Sequence, residues 1–208
     1  MAWLRIERVT WPERALWVAL VVGSLAPTAL RPGAEELALA YVAAINRGDV
    51  EAAMEVIGRD FVMRDILGGY VYGPAVRDAL EYRAALNERW RVLAWDYDWR
   101  QREVHAQLQV TSDAWEQVGS SPTVGMVYVV RNGQLLLERV GTGAREARRD
   151  LRPFLQWASA ERPRELAVVW QDGKPVKNPA AAQRLLELLR EWKAAREPLA
   201  EGTESREG

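Results

Sequence analysis

Apolar positions change their period twice along this 208-residue chain, and the changes mark its parts. Residues 15–25 (ALWVALVVGSL) are apolar all round, preceded by Thr10-Trp11-Pro12-Glu13, which has the form of a capping box. A helix over 11–26 follows, roughly 24 Å long and short of the roughly 30 Å hydrocarbon core. From 34 to 47, Leu37, Tyr41, Ala44 and Ile45 recur at helical spacing, and Gly48 ends that helix. Asp49 caps a second helix over 50–57. A strand over 61–66 sets Phe61, Met63 and Asp65 on one face, and Gly68-Gly69 breaks it. Gly73-Pro74 opens a third helix to about Asn87.

The period then becomes two. Leu93, Trp95, Tyr97 and Trp99 share one strand face; Val104, Ala106, Leu108 and Val110 share a face of the next, with His105 opposite. Asn132-Gly133 between the apolar runs 125–130 and 134–140 predicts a hairpin. Helices first and antiparallel strands after them predict an α+β fold with the helices on one face of a curved sheet. Beyond 142, arginines 145, 148, 149 and 152 fall on a helix interrupted by Pro153, interleaved with Glu146 and Asp150. Residues 166–170 and 174–176, around Asp172-Gly173, predict a small hairpin. Asn178 caps a helix with the apolar stripe Leu185, Leu188, Leu189 and Trp192. The organisation expected is an N-terminal apolar helix (1–34), a domain over 35–142, an extension over 143–197, and a polar, disordered tail over 198–208.

Composition narrows the chemistry. The chain holds 28 Lys+Arg against 29 Asp+Glu, a net charge of −1 that argues against a general nucleic-acid binder. Cysteine is absent and His105 is the single histidine, so thiol chemistry and any site with two imidazoles are excluded, and neither a metal nor a cofactor is expected. Ten tryptophans imply wide core walls with polar tips. The segment 11–26 fits either an export or membrane-anchoring segment, with Arg5, Arg8 and Arg14 around its start, or a helix packed on the domain. An exported or anchored location is favoured over a cytoplasmic one.

Taken in order, AYVAAINRGDVEAAMEVIGRDFVMRD, YGPAVRDAL and VYVVRNGQLLLERV resemble the nuclear transport factor 2-like superfamily, which includes the ketosteroid isomerase and SnoaL-like polyketide cyclase families. The resemblance covers about residues 35–142. It implies a cone, a bent sheet wrapped round three helices, with an apolar pocket inside.

Asp65 is the first candidate for chemistry. On a face shared with Phe61 and Met63, its carboxyl would be desolvated and raised towards the range of a general base. The resemblance gives Tyr41 the role of oxyanion donor beside it. The competing reading makes Asp65 the partner of an arginine or the cap of the Gly68-Gly69 turn. The family's second acid has no counterpart here, because the matching stretch is Val124-Gly125-Met126-Val127. The expected function is therefore binding of a small apolar or flat aromatic molecule in the cone, with Phe61, Met63, Trp95, Tyr97 and Trp99 against it. A cofactor-independent isomerase, cyclase or hydrolase-like enzyme built on Asp65 and Tyr41 is the alternative. A third reading is a membrane-tethered interaction module, and pairing of two copies through the sheet is a further expectation.

Overall fold

The computed structural model describes residues 33–196. The apolar segment 11–26 and the tail from 198 lie outside the described residues, and with them the expectations placed there. Helix α1 (Ala34–Arg47) starts where the Glu36 carboxylate accepts from the Gly33 N–H at 3.0 Å, and stops at Gly48, whose φ of 66° only glycine adopts cheaply. The Asp49 carboxylate then accepts from Ala52 N and caps α2 (Val50–Val56). Strand β1 (Ile57–Arg64) follows directly, then β2 (Tyr70–Tyr72) and α3 (Ala75–Ala85). Strands β3 (Arg89–Asp98) and β4 (Glu103–Thr111), the short helix α4 (Asp113–Val118), and the hairpin of β5 (Thr123–Arg131) and β6 (Gln134–Thr142) complete the region.

The six strands form one curved sheet in the order β2-β1-β6-β5-β4-β3. All neighbours are antiparallel except β1 and β6, which run parallel, so the hairpin strand made last lies beside the strand made first. Helix α1 packs along the inner face against β3, β4, β5 and β6. Leu37, Tyr41, Ala44 and Ile45 are buried there, as the helical spacing of these residues predicts, and Val42 joins them.

Four local differences from the sequence reading have physical causes. Pairing of β1 ends at Arg64 (opposite Tyr70 and Arg139), so Asp65 sits in the turn, not on the strand; its N–H donates to Gly69 O and its carbonyl accepts from Gly68 N. Strand β2, unread in the sequence, is the return arm of that turn. In β3 the register slips between Val92 and Ala94. The bulge leaves Leu93 exposed while Trp95 and Tyr97 stay packed on the core, so the expected four-residue stripe is divided. Finally, residues 166–169 are helical, because Pro163 at a first-turn position starts α6 (Pro163–Val169).

The extension consists of α5 (Ala144–Glu161), α6, the two-residue strands β7 (Trp170–Gln171) and β8 (Lys174–Pro175), and α7 (Pro179–Arg196). Helix α7 packs on α3, α4, α5 and α6. Its Leu185, Leu188, Leu189 and Trp192 join the same hydrophobic core as α1 and the sheet. Among the described residues no helix is long and apolar enough to cross a membrane.

Candidate functional site

Arg83 organises the interior. It occupies the buried stripe of α3 with Val76, Ala79 and Leu80, a position that helical spacing assigns to an apolar residue. Its guanidinium holds Glu138 of β6 with two hydrogen bonds, Nη1 to Oε2 at 3.1 Å and Nη2 to Oε1 at 2.6 Å. Glu138 is fully buried opposite Tyr128, and this bidentate pair compensates both side chains for their removal from water. Arg83 also lies 3.6 Å from Asp65 Oδ1, 3.5 Å from Glu88 Oε1, and over the Trp90 ring at 4.8 Å.

Lys177, from the loop before α7, adds the second cation. Its Nζ forms an ion pair with Asp65 Oδ2 at 3.0 Å and has no other partner among the described residues, which leaves donor capacity unused. Burial alone would raise the Asp65 carboxyl. Lys177, then Arg83, outweigh burial, and the carboxyl falls below its usual range. That is the reverse of the shift expected of a general base. Asp65 thus lies against Lys177 and, at 3.6 Å, against an arginine, the kind of partner that the competing reading gave it.

Glu88 behaves oppositely. It follows α3, where its N–H donates to Arg83 O, and it accepts from Trp90 Nε1 at 2.8 Å. Trp90 is itself fixed by Asn46, which takes its N–H and donates to its carbonyl. Burial pushes the Glu88 carboxyl up to about 7; Arg83 lowers it only in part, and Asp65 adds to the rise. With Arg83 and Lys177 balanced by Asp65 and Glu138, a proton on Glu88 leaves the cluster neutral.

These groups meet at a cavity of about 40 Å³, room for two or three waters. Asp65, Arg83, Glu88 and Lys177 face apolar walls that include Leu86, Trp115, Trp170, Leu185 and Leu189. The walls come from α3 and α4 on one side and the extension on the other.

The remaining expected site residues lie elsewhere. Tyr41 is completely buried against Phe61, Trp90 and Tyr128, with ring centroids 6.0–6.2 Å apart, and does not line the cavity that Asp65 lines. Burial and then the charge of Glu138 hold its hydroxyl well above the ordinary phenol range, so it stays a donor; among the described residues neither it nor the Tyr128 hydroxyl makes a hydrogen bond of good geometry. Phe61 and Met63 are core side chains, Trp95 and Tyr97 pack on the core, and Trp99 is 70% exposed in the turn after β3. His105 is half exposed beside Glu103 at 3.2 Å. Sequence reasoning missed Arg83, Glu88, Glu138 and Lys177. A visible signal existed for two of them: a charge on the apolar stripe of α3, and a glutamate in an inward slot of a hairpin strand.

The bent six-stranded sheet, the helices on its inner face and the element order are those of the nuclear transport factor 2-like fold. No family model matches the sequence, and no curated protein matches it. Among solved structures, the chain is similar to an NTF2-like protein of unknown function from Cytophaga hutchinsonii: 14% identity over 58% of this chain and 98% of that one, TM-score 0.48. It is also similar to the epoxide hydrolase/cyclase-like enzyme SalBIII of salinomycin pyran ring formation (17% identity, 51% and 88% covered, TM-score 0.45). A protein from Sphaerobacter thermophilus gives 16% identity, 52% and 94% covered, and a TM-score of 0.44.

Proposed function

We propose that the protein binds a small, largely apolar molecule carrying one carbonyl or hydroxyl oxygen, in the cavity between the cone and its C-terminal extension. The observation that carries this reading is Lys177: a buried ammonium with unused donor capacity, set among apolar walls beside Glu88. The cluster is already near neutrality, so a neutral oxygen acceptor suits it better than an anion. Molecules of a few heavy atoms fit with small adjustments, and larger ones need α7 to yield. The test is titration with 2-butanone and cyclopentanone while the indole N–H signals of Trp115 and Trp170, which line the cavity, are followed by NMR. Loss of the response in Ala79→Val, which narrows the cavity, would tie it to this site.

A second reading is an enzyme, and the specific observation favouring it is the pair of unpartnered buried hydroxyls of Tyr41 and Tyr128. Two protonated phenols are oxyanion donors of the kind such a reaction uses. Asp65 as its base is then a carboxylate already engaged by two cations, whereas Glu88 has the affinity suited to moving a proton near neutrality. Pairing of two copies through the sheet stays part of the proposal; its outer face carries His105, Gln107 and Gln109, all polar.

A further inference from the structure

Helix α5 breaks a local rule. Four of its first nine residues are arginines, although the N-terminal end of a helix carries positive partial charge and favours acids. At about 100° per residue, Arg145, Arg148, Arg149 and Arg152 fall on one stripe, opposite the buried Ala147, Leu151, Phe154 and Ala158. All four are exposed. Among the described residues, Arg145, Arg148 and Arg152 have no carboxylate within ion-pair distance, and Arg149 reaches Asp150 only at 3.7 Å. The interleaved Glu146 and Asp150, which in the sequence suggest mutual pairing, lie off the stripe, and Asp150 accepts from Ser120 instead. An arrangement that costs the helix stability and gains no internal partner points outward.

The stripe continues onto the sheet edge. The Arg148 guanidinium lies over Gly68, filling the space a side chain would take there, and the Lys174 methylenes cover Gly69 in the same way. Beyond that turn, Arg64 sits over the ring of Tyr70 at 5.6 Å. Tyr70 and Tyr72 are 63% and 69% exposed, the largest apolar groups on this edge. The surface thus combines cations, mostly arginines able to grip phosphate with two donors, and amphipathic rings of the sort that settle at headgroup level.

We propose that this face docks on an anionic phospholipid bilayer. A lipid surface is favoured over a polynucleotide by Tyr70 and Tyr72, whose exposed amphipathic rings beside the cations suit the headgroup level of a bilayer.

The test is co-flotation of the full chain with vesicles of phosphatidylcholine alone or with about 30 mol% phosphatidylglycerol. Binding should rise with the anionic lipid and fall when salt rises from about 0.1 to 0.5 M. The triple variant Arg145→Glu, Arg148→Glu, Arg152→Glu should bind anionic vesicles at least roughly a hundredfold more weakly, about fivefold for each cation lost before the repulsion of the new carboxylates is added. Its melting temperature should be unchanged or raised, since glutamates near a helix N-terminus are favourable. The single variants Arg145→Glu and Arg152→Glu should each lose at least about fivefold, so a misfolded triple variant would not leave the matter open. Equal binding to the two vesicles overturns the proposal, as does a triple variant that folds and binds normally. Tight salt-sensitive binding of a single-stranded oligonucleotide, with none to anionic vesicles, overturns it in favour of a nucleic-acid face.

Discussion

Asp65, Arg83, Glu88, Glu138 and Lys177 share one buried space, and their charges determine one another. Asp65 contributes to stability through its two cations. Asp65→Asn should therefore destabilise the protein by roughly 1–3 kcal/mol in denaturant melts; unchanged or higher stability would return the residue to a catalytic role. Glu88 has the opposite sign. Its folded-state value of about 7 exceeds the ordinary 4.5, so between those values the folded state holds a proton that the unfolded state has lost. Stability from this group is complete below about 4.5 and fades as pH rises through 7. Glu88→Gln keeps the acceptor for Trp90 and removes the titration. It should be more stable than the wild type at pH 8, by roughly 2–3 kcal/mol, and indistinguishable from it at about pH 4. Parallel stability curves for the two proteins would contradict this assignment. At this scale the sequence was legible only in part. The burial of Phe61 and Met63 follows from alternation, but Asp65 lies past the end of the strand, and its partners come from α3 and from a loop more than a hundred residues downstream. Local pattern cannot show such a meeting, and with it the direction of the Asp65 shift was lost.

Secondary structure was more readable where the signal is local. Glycine after a helix, Asp49 as a cap and the Asn132-Gly133 hairpin are each decided within a few residues, and α1, α2 and the β5–β6 hairpin follow from them. Strand β2 and the bulge of β3 depend on partners elsewhere in the sheet, so the expected stripe of Leu93, Trp95, Tyr97 and Trp99 was read as continuous. Helix α7 is the element on which the site depends most. Its Leu185, Leu188, Leu189 and Trp192 are buried, each contributing about 1.5–3 kcal/mol, against a total stability of about 5–15 kcal/mol for a typical domain. Ending the chain after Asn178 should therefore abolish the cooperative denaturant transition and expose dye-binding apolar surface. A truncated protein that still melts cooperatively would show α7 to be a dispensable cover over a domain complete without it.

In the whole molecule, a sheet, the helices on its inner face and a C-terminal extension enclose one core, with the ion cluster where the extension meets the cone. The extension thereby does two things: Lys177 neutralises Asp65, and Leu185 and Leu189 complete the cavity wall. The depth of the cone, where the resemblance implies a pocket, is occupied by the packed rings of Tyr41, Phe61, Trp90 and Tyr128. The proposed place of a small oxygen-bearing apolar ligand is beside Lys177, under α7. The most direct measurement is the two-dimensional NMR spectrum of the indole N–H groups during titration with 2-butanone. Saturable shifts confined to Trp115, Trp170 and the neighbouring Trp90, lost in Ala79→Val, are the result expected. Shifts centred on Trp95 or Trp99, or a response that survives the narrowing of the cavity, would contradict it.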